Sequence, residues 1–206
     1  RQGEGYFPNP KQLLYFSDWQ LDKESVYRLV IHRNTTGDEV YAETLMVGDF
    51  SIIRPIQSWN MTLSQPYKMK FSQADNAAMY DVFLTFSYVE VNNNTGEIEH
   101  KKVTKRLNGD YIRASSSADV TFNSFIPQTF FFSFFQAIET NPDVTRYTDT
   151  YKCLRLTVWA GDKNYLTYRE VATPNSSIVQ NNLEYTNFIS ENESALGLLA
   201  SRNYTY

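Results

Sequence analysis

Val26-Tyr-Arg-Leu-Val-Ile-His-Arg33, Asn34-Thr-Thr-Gly37 and Glu39-Val-Tyr-Ala-Glu-Thr-Leu-Met-Val47 decide the fold class of this chain. Tyr27, Leu29 and Ile31 occupy alternate positions, as a strand with one core face requires. The Asn-Thr-Thr-Gly segment supplies turn chemistry, and a second β-prone run then returns. The three pieces read as a hairpin. A second hairpin follows the same grammar: Tyr80-Asp-Val-Phe-Leu-Thr-Phe-Ser-Tyr-Val-Glu-Val91, the turn Asn92-Asn-Asn-Thr-Gly96, and a return from Glu97 to Arg106. The return carries charge on both faces and reads as a solvated edge strand, kept from edge pairing by its lysines. Shorter runs at Tyr67-Lys-Met-Lys-Phe71 and Tyr151 to Trp159 are also strand-like.

One segment breaks this pattern. In Ile126-Pro-Gln-Thr-Phe-Phe-Phe-Ser-Phe-Phe-Gln-Ala-Ile-Glu139, Phe130, Phe131, Phe134, Phe135 and Ile138 fall at i, i+1, i+4, i+5 and i+8, with Pro127 suited to a first helical turn. The spacing predicts a short amphipathic helix near 126–139, with the segment from Asn123 to Glu139 mostly helical and its phenylalanines turned inward. Asn141 to Asp149 reads as a polar loop, Asn164 to Val171 as either a strand or a helical turn, and Ala172 to Asn182 as a loop. Strands punctuated by turns, with one helix inserted, point to a mainly β fold: an antiparallel β-sandwich of immunoglobulin or fibronectin-like type. No repeat of about 20 to 50 residues is visible, which argues against a propeller or solenoid. The polar stretch Pro55 to Ser64 is the candidate linker, dividing an N-terminal hairpin region, 1–56, from a main β-rich domain, 57–206.

The 206 residues are 42% apolar, 16% aromatic and 20% charged, enough hydrophobic mass for one large domain or two small ones, and not the composition of a disordered chain. A net charge of -4 and a pI near 5.2 give no general attraction to phosphate backbones or anionic lipid. Lys101, Lys102, Lys105 and Arg106 form the one basic cluster in the sequence, and Glu97 and Glu99 on the same segment partly cancel it; no nucleic-acid partner is expected. The longest aromatic-apolar run, Phe130 to Phe135, falls far short of the roughly 20 residues of a spanning helix. The chain opens at Arg1 without a Met, a charged leader or an apolar core segment, so a processed or trimmed amino terminus is expected.

Catalytic signatures are sparse. A single cysteine, Cys153, can form neither an internal disulfide nor a metal cluster nor a CxxC pair, and it is expected to be a buried, inert thiol. His32 and His100 sit on strand faces beside Arg33 and Lys101 and read as solvated. HExxH, GxSxG, GxxxxGK[ST], GxGxxG and DxDxDG are all absent from the sequence, and no cofactor or metal is expected. Asp143 with Asp149 and Glu191 with Glu193 lie in loops, although two distant carboxylates could still make a glycosidase pair. The aromatics are the better functional material. Trp19 in Ser17-Asp-Trp-Gln20 and Trp59 in Gln57-Ser-Trp-Asn60 stand in polar surroundings; each is either a stacking platform for a glycan or peptide or a plug at the end of the sandwich. Trp159 could be a part-exposed sheet residue or a contact of the helix. Sequons at Asn34, Asn60, Asn93, Asn175, Asn192 and Asn203 fit a secreted eukaryotic glycoprotein and equally fit chance in an Asn-, Ser- and Thr-rich chain.

The first hairpin, extended to Phe50, resembles the "Y-x-L-x-I, turn, G-x-x-V-x-A-x-T" stretch of uncharacterised cell-surface lipoproteins of Bacteroidetes that carry a numbered domain of unknown function. Tyr80 to Glu90 is similar to that family's central strand. Glu184-Tyr-Thr-Asn-Phe-Ile-Ser-Glu-Asn-Glu-Ser-Ala-Leu-Gly-Leu-Leu-Ala-Ser-Arg202 resembles its closing "Y-T-N-I, N-G-x-G-I-F-x-S-R" pattern, with Ser194-Ala195 where the family usually has Asn-Gly. The three segments cover about a quarter of the chain, and the family's lipid-bearing cysteine is not among these residues. The resemblance implies export to the outer-membrane surface through a lipid anchor, a mostly β fold, and an accessory role beside an outer-membrane partner such as a TonB-dependent transporter. It implies no catalytic residue. The leading expectation is therefore a non-enzymatic surface binding subunit. A structural or adhesive subunit without a small-molecule site is the alternative, and a secreted glycoprotein or carboxylate-pair hydrolase stands behind both.

Overall fold

The computed structural model describes residues 17–32, 34, 37–55, 66–107, 111–115, 121–148, 153–172, 185–190 and 197–206. The fold is mainly β, and its sheets are antiparallel. Strands β1 (Val26–His32) and β2 (Glu39–Leu45) form the first hairpin, in a register that sets Arg28 opposite Glu43 and His32 opposite Glu39. Both pairs close as ion contacts, Arg28 Nη2 to Glu43 Oε1 at 2.6 Å and His32 Nδ1 to Glu39 Oε1 at 3.0 Å. They are exposed and solvent-screened, so they mainly fix register.

Next come β3 (Ile52–Arg54), β4 (Tyr67–Ser72) and the spine of the molecule, β5 (Met79–Asn92), which turns into β6 (Ile98–Arg106). The turn is built by Asn92, whose side-chain oxygen accepts the amide N–H groups of Asn94 and Thr95, and by Gly96 at φ 72°, a left-handed conformation that costs a side-chain-bearing residue strain. Two short strands follow, β7 (Ile112–Arg113) and β8 (Thr121–Ile126), then α1 (Gln128–Gln136), β9 (Val144–Thr148), β10 (Leu154–Gly161), α2 (Lys163–Ala172), β11 (Ile189–Ser190) and β12 (Arg202–Thr205). The central sheet runs β12-β10-β5-β6, with β7 and β9 also paired to β5; β1-β2-β11 and β3-β4-β8 form two smaller sheets. The edge position of β6 in this order agrees with its charge on both faces.

Alternation along β5 and β10 decides where the core sits. Tyr80, Val82, Leu84 and Phe86 of β5 join Leu156, Val158 and Ala160 of β10 on one side of the central sheet. Met69 and Phe71 of β4, Ile126 of β8, and Phe131 and Phe134 of α1 close over them. Aromatic packing knits this cluster: Tyr80 lies 5.1 Å from Phe71 and 4.9 Å from Phe122, and Phe131 meets Tyr67 edge-on at 5.6 Å.

Four expectations need correction. The helix spans Gln128–Gln136, whereas Asn123 to Ile126 belong to β8 and pair with β4. Pro127 sets this limit: its extended backbone caps the helix, and the residue before a proline is pushed out of the helical region. Of the phenylalanines, Phe131 and Phe134 are buried, while Phe132 and Phe135 are 46% and 47% exposed. The polar segment 141–149 contains a strand, β9, because the far half of β5 from Tyr88 to Asn92 offers it an open ladder. Finally, there are two helices among the described residues. Asp162 caps α2, its Oδ1 accepting the Tyr165 N–H at 2.8 Å, and this resolves the open reading of 164–171 in favour of a helix. Gly161, just before the cap, must be small: a Cβ there would come within 2.7 Å of the Tyr165 ring.

The proposed boundary at residue 56 adjoins residues 56–65, which lie outside the described residues. Hydrogen bonds tie the first hairpin to the end of the chain, from Thr44 Oγ1 to Asp162 Oδ2 at 2.5 Å and from Ser201 Oγ to the Leu45 carbonyl at 2.7 Å. No helix among the described residues is long and apolar enough to cross a membrane.

Candidate functional site

Of the two tryptophans singled out as platforms, Trp59 lies outside the described residues. Trp19 is 84% exposed, which leaves it no role as a plug at an end of the fold. It directly precedes Gln20, the first residue lining an open groove of about 820 Å³ walled by the segment Gln20 to Glu24 on one side and by Gly48, Asp49, Asp75 and Asn76 on the other. The groove is shaped by side chain-to-backbone bonding. Asp22 accepts the Glu24 N–H at 3.0 Å and the Ser25 hydroxyl at 2.8 Å, and these bonds hold its carboxyl below the usual carboxylate range. An ion pair between Lys23 and Asp49 spans the groove, and the Asn203 amide donates to Asp49 and to the Gly48 carbonyl. The result is an acid-rich surface with the Gln20 and Asn76 amides in its lining and an exposed indole beside it in sequence.

The other sequence candidates come apart. His32 is engaged with Glu39, and His100 is exposed on β6. Asp149, Glu191 and Glu193 lie outside the described residues, and no group of three or more His, Cys, Asp or Glu side chains able to hold a metal occurs among those described. Cys153, expected to be buried, is half-buried, because it stands just before β10 rather than within it, with its carbonyl accepting the Ser87 N–H at 2.7 Å. Among the sequons, Asn34 and Asn93 are exposed in turns, whereas Asn203 lies on β12 with its amide hydrogen-bonded.

The residues that sequence reasoning passed over lie on the face of the central sheet opposite the core. Asp81 of β5 is 2% exposed on this face; Arg169 Nη1 reaches its Oδ2 at 3.3 Å and Arg106 Nε its Oδ1 at 3.5 Å. Beside it, Trp159 pairs with Asp81 on one side and Tyr204 on the other by strand register. The Trp159 and Tyr204 rings lie 4.6 Å apart, and Tyr206 continues the row, 6.2 Å beyond Tyr204. Arg202 sits over Trp159 at 4.6 Å and over the α2 residue Tyr165 at 4.7 Å, and Arg155 sits over Tyr206 at 5.1 Å. Trp159 is thus a half-buried sheet residue whose helix contact runs through Arg202 to α2, not α1. The available signal was the i, i+2, i+4 spacing of Arg202, Tyr204 and Tyr206. Comparison of the chain with known protein families, with curated proteins and with solved structures gives no match.

Proposed function

We propose that this protein is a non-enzymatic, lipid-anchored binding subunit of the outer-membrane surface, taking a glycan or peptide in the Trp19 groove and serving an outer-membrane partner such as a TonB-dependent transporter. The observation that carries the binding role is the 84% exposed Trp19, next in sequence to Gln20, a lining residue of an open, polar groove of about 820 Å³. A large exposed indole costs solubility and offers a flat apolar surface for sugar C–H faces or peptide side chains, while the surrounding amides and carboxylates fit hydroxyl and amide partners. The surface location and the partner class rest on the three-segment resemblance to Bacteroidetes lipoproteins. The finer architecture we propose is a β-sandwich of immunoglobulin-like type, supported by the way the central sheet and β3-β4-β8 contribute opposite walls of one core.

The test is fractionation of the native cells, with mass spectrometry of the mature amino terminus and of co-purifying proteins. Recovery in outer membranes with a lipidated cysteine upstream of Arg1, together with an integral outer-membrane protein, is the expected result. A protein that is fully soluble and carries N-linked sugars on Asn34 or Asn93 would overturn the surface-lipoprotein reading in favour of a secreted glycoprotein.

A further inference from the structure

We infer that the outer face of the central sheet is a second binding surface, distinct from the Trp19 groove, for acidic polysaccharide: chains of sugars bearing carboxylate or sulfate. The inference begins from strand alternation. In linear sequence Lys101, Lys102, Lys105 and Arg106 are partly offset by Glu97 and Glu99, yet the register divides them. Lys102 pairs with Ser87 and Arg106 with Phe83, on the side opposite the core, whereas Glu99 pairs with Glu90 on the other side, where it holds Lys101. Lys105 likewise turns to the core side, its ammonium donating to the Ser133 carbonyl.

On the outer face the cations are joined from distant segments. Arg155 on β10, Arg202 on β12 and Arg169 on α2 share this face with Lys102 and Arg106; Asp81 is held by Arg106 and Arg169, and Glu170 at the margin is taken by Arg113. Among the described residues, five cations therefore lie on a face whose one carboxylate in contact with them, Asp81, is shared by two of them, in a protein of net charge -4. Two of them are set apart. Arg106 and Arg169 are held by Asp81, but Arg155 and Arg202 have no carboxylate partner among the described residues and lie against ring faces. A guanidinium stacked on an aromatic ring keeps its N–H fork in the plane, free to take a carboxylate or sulfate with two hydrogen bonds.

The surface between these arginines matches the remainder of a sugar chain. Tyr204 and Tyr206 are 53% and 71% exposed and offer ring surface and phenolic hydroxyls. Thr157, Thr85 and Thr104 lie on the same face in adjacent strands, with Thr85 and Thr104 hydroxyls 2.9 Å apart. Aromatic edges, hydroxyls and well-separated guanidiniums suit a ligand with about one charge per ring. A phosphodiester backbone carries its charges far more densely and would meet the general repulsion of an acidic protein.

The probes are hexagalacturonate, a chondroitin sulfate hexasaccharide, the neutral maltohexaose and a thymidine dodecanucleotide, each titrated calorimetrically into the protein at low and high salt. Saturable binding of an acidic oligosaccharide, weakened at high salt and at least tenfold weaker in Arg155→Gln and in Tyr206→Ala, is the expected result; binding of hexagalacturonate shows that carboxylate alone suffices. Tyr206 is 71% exposed and its replacement should leave the melting temperature unchanged, so its loss of binding is not a folding artefact. Trp19→Ala should bind the acidic probe as the parent does, which separates this surface from the groove. Absence of binding by both acidic probes, equal binding of maltohexaose, indifference to both variants, or tighter binding of the oligonucleotide would each overturn the inference.

Discussion

Helix α1 carries two buried and two exposed phenylalanines within one turn and a half, so it contains its own control. Phe131 and Phe134 are 1% and 2% exposed; Phe131 packs on Tyr67 at 5.6 Å, and Phe134 lies 6.0 Å from Phe86 and 5.6 Å from Phe130. Truncating either to Ala removes a ring from a filled core, a loss of about 3–5 kcal/mol. The substitution also improves helix propensity by roughly 0.5 kcal/mol, so the net cost should be about 2.5–4.5 kcal/mol. For a chain of this length each kcal/mol moves the melting temperature by about 2–4 °C, which gives a fall of about 5–18 °C. At Phe132, 46% exposed, the propensity gain opposes a much smaller burial loss, and Phe132→Ala should stay within about 1 kcal/mol of the parent. Phe135→Ala should fall between, since its ring still meets Phe86 edge-on at 5.6 Å. Scanning calorimetry on all four variants is the assay. Equal melting temperatures across the four, or a buried-site variant within about 2 °C of the parent, would refute the packing of α1 on the central sheet.

Asp81→Asn should destabilise by about 2–4 kcal/mol, because Arg169 and Arg106 both lose the carboxylate they contact; their partial exposure keeps the figure below that of a fully buried pair. A double-mutant cycle with Arg169→Ala checks this, and strict additivity would count against it. Tyr80 gives a pH dependence. Burial holds its hydroxyl pKa above the ordinary 10.0, so the folded protein retains that proton longer than the unfolded chain does. The contribution is complete below pH about 10 and is lost as pH rises through the folded value, so denaturant stability should fall with increasing pH there. In Tyr80→Phe that part of the alkaline decline should vanish, with a constant loss of about 1–3 kcal/mol from the Ala74 N–H that now donates to the Tyr80 oxygen. Cys153, half-buried, should react with a thiol reagent in the native protein at a rate independent of sub-denaturing urea; labelling only on unfolding would restore full burial.

The β elements were legible wherever local pattern and tertiary demand agree. Both hairpins pair around their Asn- and Gly-bearing turns as the pattern requires, but the core face read at Tyr27, Leu29 and Ile31 is not formed: β1 is exposed on both sides, with Leu29 and Ile31 at 43% and 46%. The missed strand β9 has a tertiary cause. β9 has no apolar alternation of its own, and it is a strand because β5 runs past β10 and leaves the Tyr88 to Asn92 ladder open. No property of residues 144–148 records that the neighbour is long. The α2 boundary, by contrast, is written in the chain: Gly161-Asp162 followed by a Tyr-rich run is a cap preceded by a close approach.

The outer-face surface shows a different limit. Charge read along a sequence sums neighbours that a strand sends to opposite sides, so the apparent cancellation at 97–106 describes no actual location in the fold. Glu99 lies across the sheet from Arg106 and Lys102, while Arg155 and Arg202, some 50 and 100 positions downstream, share their face from other strands of the same sheet. Counting by face needs only parity within each strand, which the sequence does supply, and the register between strands, which it does not. Parity alone places Arg202, Tyr204 and Tyr206 together, and Arg155, Thr157 and Trp159 together. It takes the pairing of Trp159 with Tyr204 to lay one row against the other and convert two ordinary alternations into a continuous surface of rings and guanidiniums.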